Sequence, residues 1–352
     1  MQRRLTLFAI FAFVVALPAA ADAQTEISSR ASSIRIGGRA HAQYSASSVS
    51  AAHNDFFFRR IRLIADITIN DFVSARIQPD FSGGATALQD TYVRLNFSSG
   101  FRVYMGQFKR AFDLFELSSS TDLSLIERDG RVEGVSTCAG VGSLCSYSRL
   151  TEKLGFAGRD QGIKVDGSSG RVSYEASVTN GTGINVADEN DAKSFSGRLS
   201  IAATDKVTLS GNLAIHDWVD PTDENAQALG WSADLQVGDW RDGVLLQAAV
   251  AGGDNWKELD AGNEPVAFVA AQVVASYYHP LGGTRISGIE PLVRLSMGDP
   301  NTNLDSDGGT VFTPGLMFYF AGKNKIGTNV DIYSPQAGDT EFSFKIQTFL
   351  YF

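Results

Sequence analysis

The sequence predicts an all-β protein, a transmembrane antiparallel β-barrel of about sixteen strands with a long constriction loop after the fifth strand. Three observations carry that reading: an export signal at the N-terminus, a period of two in the apolar residues of the remaining chain, and connections that alternate between short and long.

The export signal comes first. Arg3 and Arg4 form a positive start, Leu5 to Leu17 is an apolar run, and Pro18 breaks it ahead of Ala21-Asp22-Ala23, a small-x-small cleavage pattern. The run falls short of the ~20 residues that a permanent transmembrane helix needs. Cleavage is expected after Ala23, leaving a short periplasmic leader over residues 24–33 and a barrel over 34–352. The later chain has no apolar stretch of helix-spanning length, which says nothing against a barrel. Barrel strands alternate lipid-facing and lumen-facing residues and average to neutral hydropathy.

The strands follow from that alternation, most clearly at the end. Phe342, Phe344, Ile346, Thr348, Leu350 and Phe352 share one face, while Ser343, Lys345, Gln347, Phe349 and Tyr351 share the other. The same test upstream places strand starts near Ile34, Phe56, Phe72, Leu88, Phe101, Gly155, Arg171 and Lys193. A second half follows from Lys206, Leu229, Gly243, Val266, Gly288, Gly309, Lys325 and Glu341.

The connections add an independent check. Asn70-Asp71, Ser98-Ser99-Gly100, Gly167 to Gly170, Thr204-Asp205, Arg241-Asp242 and Gly322-Lys323-Asn324 read as tight turns, with Leu281 to Ser287 a longer member of the set. Between them lie Thr182 to Ala192, Val219 to Ala228 and Asp254 to Pro265, which read as longer links. Short turns on one rim and long loops on the other are the layout of an outer-membrane barrel, with both termini in the periplasm.

One link, Lys109 to Leu154, exceeds ordinary loop length and so implies a task of its own. Folding inward to narrow the lumen is the expectation; an external lid or a contact between subunits is the alternative. Asp122 to Ile126 is its candidate helical turn. Cys138 and Cys145, close together in an exported chain, are expected to form a disulfide that closes a small subloop.

Several stretches resemble a known family. Phe56-Phe57-Phe58-Arg59-Arg60-Ile61-Arg62-Leu63 is similar to the F-R-R-x-R stretch of the phosphate-selective porin O/P family, and Asp90-Thr91-Tyr92-Val93 to its D-A-Y-V strand. Gly106-Gln107-Phe108-Lys109, then Glu116, Ser118-Ser119 and Glu127-Arg128, resembles its run into the long loop, and Gly158-Arg159-Asp160-Gln161-Gly162 its G-R-D-x-G. The likeness covers residues 37 to about 183; beyond them only strand rhythm and the terminal Phe agree. It implies sixteen strands, a homotrimer, constriction by the loop after the fifth strand, and a channel for anions, in some members phosphate or polyphosphate. The chain departs from the family in having Arg110-Ala111 where a Pro is often nearby. Its long loop also carries seven acids (Asp113, Glu116, Asp122, Glu127, Asp129, Glu133, Glu152) against six bases (Lys109, Arg110, Arg128, Arg131, Arg149, Lys153).

Alternation assigns the functional faces. Ile61, Leu63, Ala65 and Ile67 face lipid, so Arg60, Arg62 and Asp66 face the lumen, and Arg76, Arg94 and Arg102 follow from the next three strands. A lipid-facing arginine costs ~2–4 kcal/mol at the midplane, which forces the inward assignment. Arg39, Arg198, Arg294 and Lys345 also fall on inward faces. Together with Lys109 and Arg110 at the loop, the arginines are the candidate pore-lining, anion-binding set, because a guanidinium can hold two oxygens of an oxyanion. Two readings stand: a strip that attracts small anions, or a wall in which the arginines pair with Asp66, Asp80, Asp90 and Glu175 and only stiffen the barrel.

Tyr44, Phe81, Phe97, Phe101, Trp218, Trp231, Trp240, Tyr278, Phe320 and Phe352 lie near strand ends and are expected in the aromatic girdles at the two interfaces. A formal charge of −9, which becomes −10 when two bases and one acid leave with the signal (28 − 38), argues against nucleic acid as a partner. His41, His53, His216 and His279 sit in no nucleophile or metal motif, so neither an enzyme nor a metal or cofactor is expected. The partners are outer-membrane lipid, small anions and further copies of the chain. A general non-selective porin and a non-conducting structural or adhesive barrel are the alternatives.

Overall fold

A computed structural model describes residues 30–188 and 190–352; the signal peptide and most of the leader expected from the sequence lie outside them. The described chain is a closed ring of antiparallel strands. They are β1 (Ser33–Ser47), β2 (Asp55–Thr68), β3 (Val73–Ile77), β4 (Pro79–Asp80), β5 (Ala87–Leu88), β6 (Thr91–Ser98), β7 (Phe101–Lys109), β8 (Arg159–Ser169) and β9 (Val172–Thr179). The second half contains β10 (Ser194–Ala202), β11 (Val207–Val219), β12 (Asn225–Asp239), β13 (Asp242–Leu259), β14 (Pro265–Pro280), β15 (Gly288–Asp299), β16 (Gly309–Tyr319), β17 (Lys325–Pro335) and β18 (Glu341–Tyr351).

The pairs β3/β4 and β5/β6 are each one barrel stave with an interruption, since β2 pairs with both β3 and β4. Sixteen staves result. β18 closes the ring on β1, from Arg39 opposite Tyr351 to Ser47 opposite Ser343. Closure leaves no edge, the condition for a sheet to sit in lipid.

Alternation holds in space. On β18, Phe342, Phe344, Ile346 and Leu350 are exposed on the outer face, while Ser343, Lys345 and Gln347 point inward and are buried. The short connections gather on one rim. Two expected long links are shorter than the sequence suggested, reduced to residues 220–224 and 260–264, because β11–β12 and β13–β14 continue as hairpins. The sixth stave begins at Arg159 rather than Gly155, since Gly155 to Gly158 belong to the loop. No helical turn forms at residues 122–126; the loop's helices are α1 (Leu114–Leu117) and α2 (Tyr147–Lys153).

Three of the expected girdle aromatics are in the interior. Trp218 and Tyr278 belong to the buried cluster inside the barrel and Trp240 packs against it. The reason is parity: Trp218 is in step with inward Ala214 and His216, and Tyr278 with inward Val274 and Ser276.

Candidate functional site

The site is the lumen, and the loop of residues 110–158 shapes it. The loop turns inward and carries its own apolar side chains with it. Phe112, Phe115, Leu125, Ile126, Tyr147, Leu150, Leu154 and Phe156 are buried against inward residues of the second half of the wall, among them Ala214, Ala228, Ala249, Ala251, Phe268 and Ala270. Small wall residues make the room. A Cβ on Gly230 would lie 2.6 Å from the Phe156 ring, and one on Gly298 2.6 Å from Leu150. Phe156 also stacks on Phe268 at 5.8 Å and 17°. Burying the apolar face in this way gives the loop a fixed seat.

Charged residues clamp the loop's edge. Arg294 is fully buried and donates to the carbonyls of Glu127 (2.8 Å) and Arg128 (2.9 Å), and to Thr313 (2.6 Å) and Asp331 (2.7 Å). Lys345 bonds the Arg131 carbonyl and Asp331, and Lys325 bonds the Leu123 carbonyl. Ser124 donates to Glu290 at 2.6 Å. Cys138 and Cys145 are disulfide-bonded, and the Tyr333 hydroxyl accepts from the Cys145 amide (3.3 Å) and the Thr137 hydroxyl (3.1 Å).

The opposite part of the wall, β2 to β8, is open to the lumen toward the short-turn rim. There Arg76, Asp66 and Arg102 keep side-chain exposures of 34%, 42% and 35%, whereas Arg60, Asp80 and Gln107, nearer the loop, are buried. A bulge between β1 and β2 re-aims one more arginine. Ala42 pairs with Phe58 and His41 with Arg60, so Arg59 is the extra residue and turns inward beside Arg60. It grips both carboxylate oxygens of Glu127 of the loop through its Nε and Nη2, the longer bond 3.1 Å. Arg62 holds Asp80 (2.6 Å) and Arg159 holds Asp90 (2.8 and 3.2 Å), while Arg128 reaches Glu116 (3.4 Å) and Arg149 reaches Asp129 (3.3 Å).

Where wall and loop face each other lies a cavity of about 220 Å³. Arg59, Arg60, Arg62, Arg128, Arg131, Arg149 and Arg159 line it, against Glu116, Glu127, Asp129 and Glu152. Arginine outnumbers carboxylate in the lining itself, seven to four, while Asp80, Asp90 and Glu133 pair with Arg62, Arg159 and Arg131 from just outside it.

The arginines expected to line the pore thus separate into groups. Arg60 and Arg62 meet at the constriction cavity, and Arg76, Arg94 and Arg102 lie on the open wall toward the short-turn rim. Arg294 does not line the open lumen: the loop covers it, and it acts as a clamp. Arg110 is also covered, paired with buried Asp160, and Arg39 is buried with a bond to Ser120. Lys109 bonds the carbonyls of Glu116 and Ser118. Arg198 is bound by both oxygens of Asp234 at 2.6 and 2.8 Å. Alternation passed over Arg59, because a bulge breaks the period that assigned the faces; Arg128 and Arg149 belong to the constriction only through the fold of the loop, and Arg159 enters it from the first position of β8.

Two loop carboxyls show opposite electrostatics. Burial pushes the Asp113 carboxyl up to about 7, with Glu116 and Asp234 acting in the same direction. Burial also raises Glu127, yet Arg59 and Arg60 outweigh it and hold that carboxyl well below the usual range.

An apolar outside, an ionised inside and a loop seated within the bore describe a channel-forming protein of the outer membrane. The sequence matches the family described as phosphate-selective porin O and P over residues 34–216, slightly more than half of the 352, and the chain belongs to that family. Its place is therefore the outer membrane of a Gram-negative bacterium.

Solved structures share the fold at low identity. The anion-selective porin from Comamonas acidovorans is similar with a TM-score of 0.65 at 14% identity, covering 91% of this chain and 99% of that one. The outer membrane channel DcaP of Acinetobacter baumannii is similar with a TM-score of 0.62 at 12% identity, covering 91% and 97%. OmpT of Vibrio cholerae, solved as a trimer form, gives 0.60 at 12% identity, covering 91% and 99%. Among curated proteins, none matches the chain in sequence.

Proposed function

We propose that the protein is a passive porin for small anions, including phosphate-type oxyanions, and that it works as a homotrimer after removal of residues 1–23. The observation that carries the anion reading is the convergence of seven guanidiniums on the constriction cavity, whose own lining holds four carboxylates. Low-dielectric walls focus that charge on a passing ion, lowering the barrier for anions and raising it for cations. The loop's apolar seat keeps the cavity narrow without closing the arginine-lined side. The trimer is supported by the family and by the trimeric form of the similar Vibrio cholerae barrel. The channel carries out no bond chemistry, so no residue is assigned a catalytic role.

A general porin with little ion preference is the second reading. What favours it is the pairing of Arg59, Arg62 and Arg159 with carboxylates, which cancels much of their charge. Reversal potential across a planar bilayer under a salt gradient separates the two. Anion preference that falls in Arg60→Ala/Arg62→Ala supports the proposal; cation preference, or a preference unchanged by the substitutions, refutes it. A barrel that passes no current would be a structural one.

A further inference from the structure

We infer that the short-turn mouth of the lumen holds a second binding station, a pocket for a small aromatic carboxylate, separate from the constriction. The inference rests on the anion-channel reading and adds to it a place and a ligand class. A cavity of about 330 Å³ opens between the inward faces of β1, β2, β3 and β6. It sits beside the turn of residues 69–72, hence on the periplasmic side.

Three guanidiniums line the cavity, from Arg35, Arg76 and Arg94, and its one carboxylate is Asp66. Asp66 is already engaged, since Arg76 holds both its oxygens at 2.7 and 2.9 Å. Arg94 bonds Ser74 at 3.0 Å, and among the described residues neither Arg35 nor Arg94 has a carboxylate within ion-pair distance. With the pocket's one acid taken by Arg76, two guanidiniums are left to receive an anion.

The size and the walls narrow the class. A volume near 330 Å³ lies at the lower end of small-molecule sites and is far more than a bare inorganic anion fills. Tyr92 presents an aromatic ring to the cavity, and Tyr104 braces it edge-on at 5.2 Å and 74°. The guanidinium of Arg94 lies 6.0 Å from the Tyr104 ring centre and the Lys164 ammonium 4.7 Å from it, so the rear of the aromatic pair is held by cations. Planar guanidinium and tyrosine surfaces stack on a flat ring, and an unpaired guanidinium takes its carboxylate. An aryl carboxylate satisfies both demands; acetate and phosphate satisfy one.

The test uses the full protein in detergent, with benzoate, acetate and inorganic phosphate as probes; binding is read by saturation-transfer NMR for the two carboxylates and by phosphorus NMR line broadening for phosphate. Variants are first checked for a folded barrel by heat-modifiable migration. Benzoate binding at least about tenfold tighter than acetate, lost in Arg35→Gln/Arg94→Gln, is the expected result. Tyr92→Leu then weakens benzoate while leaving phosphate unchanged. Acetate or phosphate binding as tightly as benzoate overturns the ligand class, and benzoate binding unaffected by the double substitution overturns the location. Reversal potentials on the same samples read the anion-channel proposal separately: a cation-preferring barrel that still binds benzoate would sink that proposal and leave the station standing.

Discussion

Replacing Arg294 with Met is expected to unfasten the constriction loop without opening the barrel. Methionine keeps most of the length and removes the charge. Four hydrogen bonds disappear, two to the loop carbonyls of Glu127 and Arg128 and two to Thr313 and Asp331. Asp331 is not stranded, since Lys345 remains at 3.0 Å, Thr313 at 2.6 Å and the Arg131 amide at 3.1 Å. The cost therefore falls at the low end of the range for breaking a buried ion pair, about 3 kcal/mol. Most of it falls on the loop side, whose two carbonyls lose charge-assisted donors. If it does, the population of a lifted loop edge rises roughly a hundredfold, at about 1.4 kcal/mol per factor of ten. Amide hydrogen exchange across residues 127–131 should quicken by that order, and single-channel records should show added transitions. Arg198→Met is the control, because Arg198 bonds Asn212, Ser210 and Asp234 on the wall and no loop residue. Unchanged exchange at residues 127–131, or equal effects of the two substitutions, would refute the clamp.

Two further outcomes concern the same loop. The Asp113 carboxyl, raised by burial to about 7 from an ordinary value near 3.9, favours its protonated form in the docked loop, so its contribution to docking is full below about pH 4 and is lost as pH rises through 7. Open-channel noise should grow from pH 5 to pH 8 and become flat in Asp113→Asn; a pH response that persists in that variant contradicts the assignment. Gly230→Val should drive the Phe156 ring from its seat, since a Cβ there would stand 2.6 Å from the ring, at an overpacking cost of about 1–3 kcal/mol. Trypsin cleavage within residues 110–158 of the folded barrel measures it, with wild-type resistance as the result that counts against the seat.

The sequence by itself determined the barrel. A period of two is a local property, so β18 and its two faces could be read residue by residue, as could the inward aim of Arg60, Arg62, Arg76, Arg94 and Arg102. Turn chemistry is local as well, which is why the short rim was legible. The family stretches around Arg59 to Arg62 and Gly158 to Gly162 lie within the matched region. What the tertiary structure alone decided depends on residues far apart in the chain. Arg294 looks like any inward arginine until the carbonyls of Glu127 and Arg128, more than 160 positions away, close over it. Arg59 points inward because one strand carries an extra residue against its neighbour, and a bulge exists only between paired strands. The loop fills one side of the bore because inward alanines and glycines on five separate strands line up as a shallow seat, a coincidence of register that no single strand displays. Local periodicity fixes which way a side chain points; only the closed ring fixes what it meets there.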